Sequence, residues 1–100
     1  MSIKIQEKLI ETKKGEVFNL IIKSCENSGW MWTIKSFNNT YIQYIHEDLQ
    51  QNNQNESAES SIIQTFTFTS LRSGKTSIDL IFEKEGETNQ MTDTFNIEIY

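Results

Sequence analysis

Seven segments with apolar residues at every second position, separated by glycines and polar clusters, predict an all-β chain: an immunoglobulin-like antiparallel β-sandwich of about seven strands. Two further observations support this class. The four glycines, at 15, 29, 74 and 86, fall between the alternating segments, and no window carries a convincing apolar stripe at helical spacing. One hundred residues suffice for one hydrophobic core and not for two, so a single domain over residues 1–100 is expected.

The first segment alternates Ile3, Ile5 and Leu9, the second Phe18, Leu20 and Ile22, and the third Trp30, Trp32 and Ile34. In the fourth, Tyr41, Gln43 and Ile45 face one side and Ile42 and Tyr44 the other. The fifth carries Ile62, Phe66 and Phe68, the sixth Thr76, Ile78, Leu80 and Phe82, and the seventh Phe95, Ile97 and Ile99. Between the fourth and fifth runs EDLQQNNQNESAESS, whose only apolar residues are Leu49 and Ala58. This composition predicts a long polar loop over 47–61, with at most a turn of helix near 47–51.

Composition narrows the chemistry. A net charge of −5 and a pI near 4.8 disfavour a nucleic-acid partner, whose affinity would come from clustered Lys and Arg. No run approaches the roughly 18 to 20 apolar residues of a membrane helix, so no membrane partner is expected. The opening MSIKIQEKLIETKKGE has no uninterrupted apolar region or small-residue cleavage site, so no signal peptide is expected, leaving cytoplasmic and endosomal or lysosomal compartments open. One cysteine excludes an internal disulfide. Cys25 with the sole histidine, His46, falls short of the about four ligands of a structural zinc site, so no metal or cofactor is expected.

Catalysis finds little footing. Cys25 and His46 are each expected at a strand end, where they could meet across one end of the sandwich, but nothing supplies an orienting residue or an oxyanion hole. RSGKTS at 72–77 ends like a phosphate-binding loop, yet Thr69 stands where that loop needs a glycine and a strand follows where it needs a helix. It reads instead as a Ser-Gly hairpin turn. The carboxylates of Glu47, Asp48, Glu56, Glu59, Glu83, Glu85 and Glu87 lack cation-binding spacing and read as a solvated rim. Two sequons, at Asn38 and Asn55, matter only on a secretory route, and one half-exposed tryptophan does not make a sugar-binding site. No catalytic residue is assigned, and the chain is not expected to be an enzyme.

CENSGWMW at 25–32 holds both tryptophans and the cysteine. Alternation places Trp30, Trp32 and Ile34 on one face and Met31, Thr33 and Lys35 on the other. Trp32, in mid-strand, is expected to fill the core; Trp30, directly after Gly29, is expected half covered where loop becomes strand.

The order KGEVFNLIIKSCENSGWMW, followed downstream by FTFTSLRSGKTSIDLIFEKEGE, resembles the chagasin-type inhibitors of papain-like cysteine peptidases over almost the whole chain. In that family a Gly-Glu pair opens a strand leading to a loop of pattern N-P-T-T-G, then an aromatic, a spacer and Trp. Here Gly15-Glu16 opens the strand, and Cys25, Glu26, Asn27 and Ser28 occupy the N-P-T-T positions. Gly29, Trp30, Met31 and Trp32 match the glycine, aromatic, spacer and Trp. Phe66-Thr67-Phe68, Gly74-Lys75-Thr76 and Ile78 to Phe82 match the family's later F-x-F strand, glycine turn and apolar strand. The loop proline is missing, Glu59-Ser60-Ser61 stands near the family's glycine-rich loop, and Lys84-Glu85-Gly86 replaces its Arg-Pro-Trp tip.

The resemblance implies inhibition by occlusion. A middle loop of Asn27, Ser28, Gly29 and Trp30 would enter the peptidase cleft. Flanking loops bearing Glu56, Ser57, Ala58, Glu59 and Ser60, and Glu83, Lys84, Glu85, Gly86 and Glu87, would grip its walls, with Trp32 as structural core. The expected species is a monomer whose partner is a papain-like cysteine peptidase. The same scaffold could instead serve as a non-inhibitory Ig-like interaction or adhesion module; convergence of the three loops on one end separates the two readings.

Overall fold

A computed structural model describes residues 9–25, 29–52 and 61–100. Expectations for Ile3, Ile5, Asn27, Ser28 and Glu56 to Ser60 fall outside the described residues. The described strands are β1 (Leu9–Thr12), β2 (Val17–Cys25), β3 (Met31–Phe37), β4 (Ile42–Asn52), β5 (Ser61–Ser70), β6 (Gly74–Glu83) and β7 (Met91–Ile99). They form two sheets, one in the order β1-β7-β6-β3 and one in the order β2-β5-β4. Every pairing is antiparallel except β1 with β7. The expected all-β sandwich of seven strands is the fold observed.

Period-two patterning builds its interior. Phe18, Leu20 and Ile22 of β2, Phe66 and Phe68 of β5, Ile78 and Leu80 of β6, and Phe95, Ile97 and Ile99 of β7 are buried in one cluster with Ile42. Alternating with them, Val17, Asn19 and Ile21 are exposed, as are Thr94 and Asn96, while Thr67 on the central strand β5 is buried and donates to Asn19 Oδ1. Such apolar burial, at roughly 25 cal/mol per Å², is the main force holding a sandwich without a disulfide together.

Three local expectations are corrected. Residues 47–52 are strand, not loop, because β5 is the central strand of its sheet and its peptide groups need partners on both sides. β4 supplies them in register from Ile42↔Ser70 to Asn52↔Ser61. An edge strand can form such a ladder from polar residues, so composition alone hid it. Cys25 and His46 do not meet: Cys25 pairs with Ser61 from one side of β5, and His46 pairs with Thr67 from the other. Ser61 and Thr67 are separated by about 20 Å along the strand. Finally, Leu71 to Ser73 form no hairpin, since β5 and β6 belong to different sheets and the segment crosses between them. The crossing is tied down where the Leu71 amide donates to the Tyr41 carbonyl at 2.7 Å.

Candidate functional site

Strand direction brings three connections to one end. The register Cys25↔Ser61↔Asn52 closes that end of one sheet, and Met31↔Glu83 with Phe82↔Met91 closes it in the other. The feet of the connections after β2, β4 and β6 therefore lie together. At the opposite end the turns after β1, β3 and β5 are joined by backbone bonds among Gly15, Glu16, Ser70, Leu71 and Tyr41.

At the end that gathers the connections after β2, β4 and β6, Gly29 has φ +79, a conformation open to glycine and disfavoured for residues with a Cβ. Lys84 lies beside it: a methyl group at Gly29 would stand 3.0 Å from Lys84 Cε. Next in the chain, Trp30 is half-buried and stacks on Phe82, with ring centroids 5.5 Å apart. Trp32 lies against the same Phe82 at 4.7 Å and packs on the core cluster, though it is half-buried rather than enclosed. One phenyl ring thus supports both tryptophans.

The third connection contributes charge. Glu83 accepts hydrogen bonds from Thr33 Oγ1 at 3.1 Å and Gln90 Nε2 at 3.4 Å, which holds its carboxylate against the outer face of β3. Lys84 opens a turn closed by the Glu87 amide donating to its carbonyl, and Glu85, Gly86 and Glu87 are exposed. Of the expected site residues, then, Gly29, Trp30, Trp32 and Glu83 to Glu87 share one end.

Two residues escaped the sequence reading. Gln64 on β5 is fully buried, and its amide makes three hydrogen bonds. Oε1 accepts from the Trp32 amide at 3.0 Å, while Nε2 donates to the Trp32 carbonyl at 2.8 Å and to Glu47 Oε2 at 2.9 Å. The signal was present in SIIQTFTFTS, where Gln64 is the polar residue between inward-facing Ile62 and Phe66. Glu47, read as rim charge, is Gln64's partner. Its carboxylate also pushes up the phenol pKa of nearby Tyr44, after the larger effect of burial. Among the described residues no three of His, Cys, Asp and Glu come together as a metal site would require.

A sequence model described as chagasin family peptidase inhibitor I42 matches residues 11–99. The chain belongs to that family. Chagasin-family proteins are inhibitors of cysteine peptidases, not enzymes. No curated protein matches in sequence. In structure the chain is similar to the cysteine protease inhibitor EhICP2 from Entamoeba histolytica, with a TM-score of 0.73 at 12% identity, covering 94% of this chain and 87% of that one. It is also similar to amebosin, with a TM-score of 0.63 at 16% identity, covering 92% and 88%. At such identities these likenesses speak for the shared fold, and the chagasin assignment rests on the sequence match.

Proposed function

We propose that this chain inhibits a papain-like cysteine peptidase by occluding its cleft with the end of the sandwich that carries Gly29, Trp30 and Glu83 to Glu87. The observation behind this reading is the seating of Gly29 beside Lys84 and of Trp30 on Phe82, which gathers residues of two connections into one edge. In this reading Asn27, Ser28, Gly29 and Trp30 enter the cleft over the catalytic thiol, while Glu56 to Ser60 and Glu83 to Glu87 grip its walls. No bond is made or broken. Small residues let the backbone approach the nucleophile closely without presenting a scissile bond in line for attack, and no cofactor is needed.

Trp30 supplies the aromatic anchor that commonly dominates such interfaces, and Trp32 holds the strand beneath it. A sandwich that braces its loops before binding keeps the ordering cost small, so an interface of about 1,600 Å² can bind tightly as a monomer. With Lys84-Glu85-Gly86 in place of an Arg-Pro-Trp tip, the third loop lacks a second aromatic anchor. Its carboxylates favour a basic cleft wall and select among peptidases by charge. Titrating the purified domain into papain or a cathepsin while following peptide hydrolysis tests the reading. Progressive loss of activity is expected; full activity at micromolar inhibitor would reject it for those enzymes.

A further inference from the structure

The side chain of Gln64 belongs to the sheet facing Trp32, yet it treats the backbone of Trp32 as a neighbouring strand would. Among the described residues β3 is an edge strand, paired with β6 alone, so alternate peptide groups along its free side have no described strand to bond. Gln64 supplies both missing partners at Trp32, an acceptor for the N–H and a donor for the carbonyl. Its second N–H goes to Glu47. The amide's orientation is fixed by these neighbours: turned over, its oxygen would face the Trp32 carbonyl and the Glu47 carboxylate, with no hydrogen to share. Methionine, leucine or glutamate cannot reproduce this pattern, and asparagine is a methylene shorter.

The position of these bonds gives them a role beyond satisfying polar groups. Apolar packing between two sheets is non-directional and tolerates small slides, whereas three hydrogen bonds on one planar group do not. Gln64 joins β5 to β3 two residues after Trp30, and through Glu47 it joins both to β4. Those strands carry the feet of two of the three connections at the working end, and Phe82 under the tryptophans ties in the third.

We propose that Gln64, oriented by Glu47, is a positioning residue that fixes the Trp30–Trp32 segment relative to the opposite sheet and so presets the inhibitory edge. The link to inhibition rests on the function proposed above; the positioning of the segment does not. Gln64 touches no peptidase in this scheme and acts through Trp32 and Trp30.

The test compares Gln64→Met with Ile97→Val, a core substitution near the other end of the sandwich. Hydrogen exchange of the Trp32 amide is read by NMR, and inhibition of papain is measured at a temperature where all variants are folded. Expected for Gln64→Met is Trp32 exchange at least about ten-fold faster and an inhibition constant about ten-fold higher, with both near the parent values in Ile97→Val. Equal exchange in the two variants would overturn the positioning role whether or not the parent inhibits papain. Faster exchange with unchanged inhibition would overturn the link to the inhibitory edge. If the parent itself fails to inhibit, the proposed function falls and the exchange comparison alone judges the brace. Should Gln64→Met not fold, Glu47→Ala, an exposed substitution removing one of the three bonds, carries the comparison, with about three-fold faster Trp32 exchange expected and no change overturning the proposal. A charge exchange adds a rescue. Gln64→Glu places two carboxylates together and should exchange fastest, and adding Glu47→Gln should recover part of the protection; no recovery would overturn the assigned role of Glu47.

Discussion

Trp30 stacks on Phe82 at 5.5 Å, and the same phenyl ring carries Trp32 at 4.7 Å. The shared ring makes the two indoles neighbours without making them equivalent. Trp32 also packs on the buried cluster and has its backbone held by Gln64, whereas Trp30 lies beyond the strand, next to Gly29. Trp30→Ala is therefore expected to raise the papain inhibition constant by about 30-fold, the roughly 2 kcal/mol of an interface anchor, with a small change in melting temperature. Trp32→Ala should do the opposite, lowering stability by about 3 kcal/mol and shifting inhibition less. Parallel losses in both measurements would defeat this division.

Lys84 separates stem from charge at the same edge. Its methylenes lie beside Gly29, and its ammonium adds a cation to a turn that otherwise carries Glu83, Glu85 and Glu87. Lys84→Met keeps most of the stem, and Lys84→Ala removes it. About 1 kcal/mol for the covered methylenes predicts an inhibition constant roughly five-fold higher for the alanine variant. The methionine variant should match the parent at high salt and differ from it only at low salt, where surface charge is unscreened. Equal inhibition by the two variants at high salt would show that the stem does not matter.

The contrast between legible and hidden features has its origin in the physics of each. Period-two alternation reports which face of a strand is buried, so Phe18 to Ile22, Ile78 to Leu80 and Phe95 to Ile99 were readable directly. It does not report hydrogen-bond pairing, and β4 beyond His46 exists through pairing: Glu47 to Gln50 are exposed, and the strand runs on to Asn52 on the ladder of β5. Nor does alternation say which sheet a strand joins, and so a crossing at Leu71 to Ser73 resembled a hairpin. Within the candidate site, local spacing placed Gly29 at a turn and Trp30, half covered, where loop becomes strand, as observed. Gln64 acts on Trp32, distant in sequence, and its polarity within an apolar run was the sole local trace of that contact.

Alkaline pH probes the β1–β7 edge. Hydrogen bonding to the Glu11 carboxylate and then to Glu98 pushes the exposed Tyr100 phenol from its ordinary 10.0 up to about 12. The folded chain thus keeps a proton that the unfolded chain releases above pH 10. The associated stability is fully present below that pH and is lost as pH rises toward 12. In a Tyr44→Phe background, which removes the other raised phenol, phenolate absorbance should show Tyr100 ionising about two pH units late, and the double substitution Glu11→Gln with Glu98→Gln should bring it back toward 10. A late transition that persists in the double variant would assign the shift to another cause.

Gly29 and Gly74 make the same demand on the backbone at opposite ends of the sandwich, so substituting each separates scaffold from function. Gly29 has φ +79 and Lys84 Cε at 3.0 Å from a prospective methyl; Gly74 has φ +141 and Tyr41 Cε1 at 2.8 Å. Alanine at either position takes up backbone strain of about 1 to 3 kcal/mol, and both variants should melt earlier. Their surroundings then diverge. The flexible end of Lys84 can swing away from a methyl group added at Gly29, whereas the Tyr41 ring beside Gly74 is packed against the buried core and cannot move without disturbing it. Gly74→Ala should therefore be the less stable of the two. Inhibition should rank them the other way. Gly74 begins β6 far from Trp30, so Gly74→Ala, once folded, should inhibit papain like the parent. Gly29→Ala displaces Lys84 and re-aims the chain immediately before Trp30, and should raise the inhibition constant about ten-fold. Measuring melting temperature and inhibition for both variants decides the matter: a Gly74→Ala protein that folds but inhibits poorly would show that the working edge extends to the far end of the sandwich.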